Sequence, residues 1–366
     1  MALTLADLLH EHWADYAQSH RSQLNRAHYR AVRRVLACRT PELGGRLYQC
    51  GSCKKHHYAY HSCNHRSCPQ CGSIDQQTWS AKQEVKLLPI PYFLITFTIP
   101  SELRSLCLHR PKELYHLLLK CSATALHDVS ATKLKTPGLR LGITSVLHTW
   151  GRQMQHHPHV HSIVPAVGYD PKNNQLIHPE KPGHFLVHYH PLADRFRSLI
   201  HTALKNDHPD IYQNLTPDQR RALSPQVKWN VQLQPAGRGK TALRYLARYI
   251  HRSALGPKRI IGFAPDGKLR LHHTPTGSKR PGIMKLIVFE FLRRWLLHVL
   301  PKGFARVRHY GYFASAAVKT RHRIRALLRC DPEPAIELPE KPPHTCDHCG
   351  GELTFLREIP RPRGPP

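Results

Sequence analysis

The residues best placed to do chemistry lie in the segment GRQMQHHPHVHSIVPAVG. In an extended strand, side chains two apart share a face, so His157, His159 and His161 aim three imidazoles at one point while Val160 turns away. Imidazole is the commonest metal ligand at neutral pH, and the chemistry this spacing suggests is a metal centre. The chain has 30 histidines, so a chance His-x-His is ordinary, and His188-Tyr189-His190 is a second instance. A second element must therefore support the reading.

That element is RYLARYIHR. On a helix at about 100° per residue, Leu243, Leu246, Ala247 and Ile250 gather on a core face, whereas Tyr245 and Tyr249 fall away from it beside Arg248 and Arg252. A phenol with a pKa of ~10 is a poor nucleophile. Its attack on a phosphodiester needs a cation that neutralises the phosphate and the leaving oxygen, and arginines that clamp the phosphate bidentately. Histidines, metal and tyrosines together suit a transesterification that leaves DNA covalently on tyrosine, from which rejoining needs no ATP. The competing reading has the exposed tyrosines stacking on bases.

Cysteines supply a different chemistry. Cys50-x-x-Cys53 and Cys68-x-x-Cys71 frame 14 residues, close to the two-knuckle spacing of a structural zinc site. Four thiolates close a tetrahedron with no open position, so this metal serves as scaffold. Cys38, Cys63, His57, His61 and His65 are left over as candidates for a second site, with burial in a small core as the alternative for Cys38 and Cys63. A further pair, Cys346-x-x-Cys349, lies in the proline-rich end with His344 and His348.

Composition names the partner. Lys and Arg number 54 against 24 Asp and Glu, a net charge of +30 spread along the whole chain, and 40% of residues are apolar. A folding chain with that excess is expected to bind a polyanion, nucleic acid first. So few acids, with none near HPHVH, make a carboxylate-metal nuclease the weakest reading. No run approaches the ~18 to 20 apolar residues of a membrane span, and the N-terminus lacks a signal-peptide pattern, so a cytoplasmic protein without membrane contact is expected.

The elements that position these groups follow from periodicity. Residues 4 to about 37 read as one or two helices, IDQQTWSAKQEVKLLP as another, and PYFLITFTIP as a buried strand. SELRSLCLHRPKELYHLLLKCSATALHD reads as a helix capped by Ser101. LRLGITSVLHTWG and HPHVHSIVPAVGYD form an antiparallel pair, followed by a strand HFLVHYH and the helix ADRFRSLIHTALK. Residues 205 to 227 are a polar insertion, WNVQLQP a strand, IIGFAPDGKLRLHH a hairpin turning at Asp266-Gly267, and KLIVFEFLRRWLLHVLP a basic amphipathic helix. The fold class is α+β, a central antiparallel sheet with flanking helices, preceded by a small helical and zinc-ribbon unit. The expected domains are 1–85 (helical, zinc-binding, DNA recognition), 86–330 (catalytic) and 331–366 (proline-rich tail with a knuckle).

In order along the chain, CRTPELGG, SCNHRSCPQC, FTIP, HTWG, HPHVHSIVP, RYLARYIHR and HVLPKGFARVRHYG resemble the two-tyrosine HUH transposases of rolling-circle insertion sequences, the IS91 group. The likeness covers nearly all of residues 25 to 320, although HPHVHSIVPAVG lacks the second and third glycines expected after the proline. The resemblance implies His159 and His161 as the HUH pair on Mg²⁺ or Mn²⁺, and Tyr245 and Tyr249 as nucleophiles on single-stranded DNA. Cleavage would leave a 5′-phosphotyrosine and a free 3′-OH, in a bacterial, nucleoid-associated setting. The third ligand stays open between His157, chosen by strand face, and Gln153 or Gln155, chosen by the habit of related folds. A non-catalytic zinc-ribbon DNA-binding protein is the rival reading.

Overall fold

The computed structural model describes residues 3–71, 73–181, 183–241, 243, 247, 254–256, 258–274, 280–338 and 344–362. Two helices open the chain, α1 (Leu5–Ser19) and α2 (Arg26–Leu36). Thr4 and Asn25 cap them by accepting from backbone N–H groups of the first turn, and Asp7 and His28 close the capping boxes. A ribbon, β1 (Gly45–Cys50) and β2 (His56–Tyr60), leads to α3 (Ser73–Glu84).

The larger part begins with β3 (Pro91–Thr98), α4 (Arg104–His109) and α5 (Pro111–Lys133). Then come β4 (Gly142–Trp150), β5 (His156–Pro165), β6 (Gly168–Asp170) and β7 (Gln175–Ile177). Helices α6 (Tyr189–Asp207), α7 (Pro209–Gln213) and α8 (Pro217–Ala222) precede β8 (Asn230–Arg238). A three-stranded sheet of β9 (Ile260–Phe263), β10 (Leu269–His273) and β11 (Gly282–Leu286) is followed by α9 (Val288–Leu296). The described chain ends with β12 (Val307–Gly311), α10 (Val318–Leu327) and β13 (Leu353–Ile359).

The central sheet has the order β12-β4-β5-β3-β8, every pair antiparallel, as the α+β reading requires. On one face Phe93, Phe97, Ile143, Leu147, Val160 and Val164 form a core with α5 and α6, where Phe97 meets Phe196 edge-on at 5.0 Å. Strand β4 is buried along all but its last residue, which is why GITSVLHTW lacks polar alternation. Its buried Ser145 hydroxyl is matched by Ser162 at 2.8 Å across the ladder. On the opposite face Val146 and Ile163 pack under Tyr92, Tyr312, Phe313 and Ile324 toward one end. The other end carries histidines and opens into a cleft.

A second core spans the boundary expected at residue 85. Leu5, Leu8, Leu9, Val32 and Val35 of the first two helices are packed with Leu269, Leu271, Phe291 and Trp295, far downstream. Tyr16 meets Phe289 edge-on at 5.4 Å, and buried Trp295 donates its indole N–H to the Ser67 carbonyl at 3.2 Å. The tail does not stand apart either, because β13 pairs antiparallel with β1 and completes a β13-β1-β2 sheet.

Several elements differ from the periodicity reading. HFLVHYH is no strand: Phe185, Leu186 and Val187 are buried as a loop against the helix-side core, and Tyr189 starts α6. The Ser101 segment is a 3₁₀ turn before α4, and Arg110 with Pro111 breaks the expected single helix, since proline cannot donate into it. KLIVFEF splits into the end of β11 and the start of α9, and RVRHYG contributes the edge strand β12.

Candidate metal centre and cysteine clusters

His159 and His161 lie on the cleft face of β5, and Val160 between them is wholly buried on the helix side. The third imidazole comes from the neighbouring strand. His148 of β4 sits directly opposite His159, and the ligand nitrogens of His148, His159 and His161 all lie within 4.8 Å of one another. The ring centroids of His148 are 5.2 Å from His159 and 4.5 Å from His161.

His157, the expected third ligand, is outside this group although it lines the same cleft. The cause is a slip in register. His148 pairs with His159 but Trp150 pairs with His156, so β5 holds one residue more than β4 there. Pro158, in that stretch, has no N–H for the ladder, and a bulge breaks the two-residue alternation at the position it was meant to place. Gln155 also lines the cleft, where its side-chain oxygen accepts from the Gln153 backbone N–H at 3.0 Å.

The histidines are oriented by partners behind them. His159 donates from Nδ1 to its neighbour's carbonyl, His157 O, at 2.6 Å, which leaves the Nε2 lone pair for the cluster. Thr96, paired with His161 across β3 and β5, bonds that ring's Nδ1 at 2.9 Å. Such outer partners fix tautomer and ring angle at metal sites. Burial holds His159 at a pKa of about 4 and His161 at about 3, and pushes His148 well below its ordinary value. All three are neutral at pH 7, the form that binds a cation.

The cleft wall is basic. Arg152 and Arg259 line it with Trp150, and Arg306 lies over the Trp150 ring at 5.6 Å. Arg259 donates to the carbonyls of Ala254 and His272, both at 2.8 Å, and to Arg152 O. It thereby ties residue 254 to the cleft. Tyr245, Tyr249, Arg248 and Arg252 lie outside the described residues; Leu243 and Ala247, of the expected core face, are buried.

The cysteines divide differently from their order in the sequence. Cys50, Cys53, Cys68 and Cys71 do not meet as one set. Cys68 and Cys71 converge with Cys38 and Cys63, while Cys50 and Cys53 converge with Cys346 and Cys349. In the first cluster Sγ atoms of Cys38 and Cys63 are each 3.5 Å from Cys71, and Cys68 is 3.7 Å from Cys38. Zn–S bonds of ~2.3 Å put tetrahedral sulfurs ~3.8 Å apart, so these thiols fit zinc. Chain geometry decides the pairing: Cys38 follows directly on the Ala37 cap of α2, and Arg34 of that helix donates to Cys63 O at 2.6 Å, drawing the loop with Cys63 to it. His61 joins neither cluster; it is half-exposed, 3.8 Å from Glu358. Sequence reasoning missed His148 and the joining of both chain ends in one cluster. The unpartnered tail knuckle was the available signal for the second.

The model of a family described as "Putative transposase" matches residues 142–321, and one described as "Transposase zinc-binding domain" matches residues 8–99. The chain is 32% identical over 339 residues to "Putative transposase y4qJ" of Sinorhizobium fredii, covering 89% of this chain and 83% of that protein. It is 27% identical over 350 residues to "Transposase for insertion sequence element IS801" of Pseudomonas savastanoi pv. phaseolicola, covering 90% and 83%. No solved structure matches the chain. Among the described residues, no helix is long and apolar enough to cross a membrane.

Proposed function

Since the chain belongs to the IS91-type transposases of insertion sequences, we propose that it nicks and rejoins single-stranded DNA at element ends as an HUH strand transferase. The observation that carries this reading is the convergent trio of buried His148 and part-buried His159 and His161 at the open end of the central sheet. Three imidazoles without a carboxylate suit Mn²⁺ or a similar first-row ion better than Mg²⁺, which prefers oxygen ligands. When bound, the ion supplies positive charge to the scissile phosphate and its leaving oxygen. His148 takes the place first considered for His157, Gln153 or Gln155.

The chain's own groups do the rest. Thr96 and the His157 carbonyl hold the ligand rings at fixed angles. Tyr245 and Tyr249 act as nucleophiles, with Arg248 and Arg252 on the phosphate. The attacking phenol oxygen bonds to phosphorus while the 3′ oxygen leaves, which gives a 5′-phosphotyrosine and a free 3′-OH. The second tyrosine permits a further strand transfer in rolling-circle transposition. Arg259 helps by fixing residue 254, the first described one beyond this segment, against the cleft. The net charge of +30 supplies sequence-independent affinity for the DNA backbone.

The test is incubation with single-stranded DNA from an element end and Mn²⁺, followed by denaturing electrophoresis. An SDS-resistant adduct is expected, and it should vanish when Tyr245→Phe and Tyr249→Phe are combined. An adduct that persists in the double variant rejects these nucleophiles; DNA binding without any wild-type adduct favours the non-catalytic zinc-ribbon reading.

A further inference from the structure

We propose that Cys50, Cys53, Cys346 and Cys349 form a second structural zinc site, built from both ends of the chain, that clasps the C-terminal strand onto the N-terminal unit. Neither matched family model reaches Cys346 or Cys349, since they cover residues 8–99 and 142–321. The ligand atoms of the four cysteines lie within 4.8 Å of one another. Cys50 Sγ is 3.5 Å from Cys349 Sγ, and Cys53 Sγ is 3.6 Å from Cys346 Sγ. These spacings match those of the Cys38 cluster and the ~3.8 Å expected around zinc. They are far beyond the ~2.05 Å of a disulfide.

Backbone around both pairs is shaped as a pair of facing knuckles. The Cys53 N–H points at Cys50 Sγ at 3.5 Å, and Lys54 takes a left-handed φ of 59° to turn the chain back. On the other side Cys346 N–H donates to Gly351 O and Gly350 N–H to Cys346 O, both at 2.8 Å, with Gly350 at φ 73°. The Gly51 N–H donates across to Glu352 O at 3.1 Å, joining the knuckles. Their approach leaves no room at Gly351, where a Cβ would come within 2.6 Å of Ser52 Oγ and 3.2 Å of Cys50 Sγ. His57 Nε2 stands 3.1 Å from Cys346 Sγ, where an N–H would steady a thiolate.

The site sits at the end of a ladder it would hold shut. Strand β13 pairs with β1 from Gly45↔Ile359 to Cys50↔Leu353, and within the ladder the paired Arg46 and Glu358 side chains meet at 2.9 Å. That ion pair is half-exposed, so it contributes little. A ladder of one added strand with a solvated outer face is marginal by itself, and a four-thiolate zinc at its end supplies the missing restraint.

The proposal is tested on the full chain purified with zinc. In a His148→Ala background, which removes zinc from the imidazole trio, elemental analysis should give two zinc ions per molecule, and adding C346S and C349S should leave one. In a chain with a protease sequence inserted after Leu338, the cleaved tail should co-elute with the body while two zinc ions are bound and separate on chelation. One zinc in the His148→Ala chain, two after C346S and C349S are added, or a tail that leaves while both ions stay would each overturn the proposal. So would a tail held to the body in non-reducing denaturing gels, which would make the link a disulfide.

Discussion

Replacing Trp295 tests whether the first two helices, the β9–β11 sheet and the Cys38 cluster form one cooperative unit. Its side chain is 1% exposed, in the core shared by α1, α2, β10 and α9, and its N–H satisfies the carbonyl of Ser67, the residue before Cys68. Trp295→Ala removes a large buried side chain and leaves a cavity, a loss of about 3–5 kcal/mol. The orphaned Ser67 carbonyl adds about 1 kcal/mol. Trp295→Phe keeps most of the apolar volume and loses the hydrogen bond, so about 1–2 kcal/mol is expected. Thermal unfolding followed by far-UV circular dichroism, with zinc release read by a chromogenic chelator, measures both consequences. The alanine variant should lower the midpoint by roughly 10 °C, the phenylalanine variant by less, and zinc release should move in step. An unfolding midpoint that falls while zinc release stays at its wild-type temperature would refute the coupling. A loss below about 1 kcal/mol for Trp295→Ala would refute the shared core itself.

Two further outcomes separate ligands from neighbours and set the pH response. His148→Ala should abolish Mn²⁺ binding measured by calorimetry, while His157→Ala leaves it within about tenfold, the lower limit of outer-partner effects; equal losses would return His157 to the ligand set. Burial holds His298 at about 4 while it contacts Met154 O at 3.0 Å and Thr149 Oγ1 at 3.2 Å. The unfolded chain takes up that proton near 6.5 and the folded chain near 4, so His298 lowers stability as pH falls through this window, by up to about 3 kcal/mol. His298→Gln should remove about one proton from the pH slope of unfolding between 6.5 and 4, and an unchanged slope would show that His298 titrates normally.

What was legible in the sequence was local. The alternation in HPHVH placed His159 and His161 on one face because a strand's period is a property of each residue. His148 was not legible, because only the β4–β5 register brings it opposite His159. The same distinction explains the cysteines: each Cys-x-x-Cys turn follows from its own spacing, but which turns face each other depends on how the chain returns. The strand read into HFLVHYH failed because an apolar run is buried equally well by helix packing without ladder bonds. Edge strand β12 escaped notice because its burial is partial throughout and its residues are basic. The packing across residue 85 was not legible because a core assembled from segments some 250 residues apart has no signature in either segment.

Strand β13 gives the protein a property of timing. Residues 344–359 leave the ribosome after every other described element on which they pack, so β1 waits with its outer edge unpaired until β13 emerges. A product cut short after the central sheet would therefore carry a β1-β2 ribbon with a bare strand edge, prone to pair with another chain. That order of assembly leaves the β1 edge closed only in chains translated through β13.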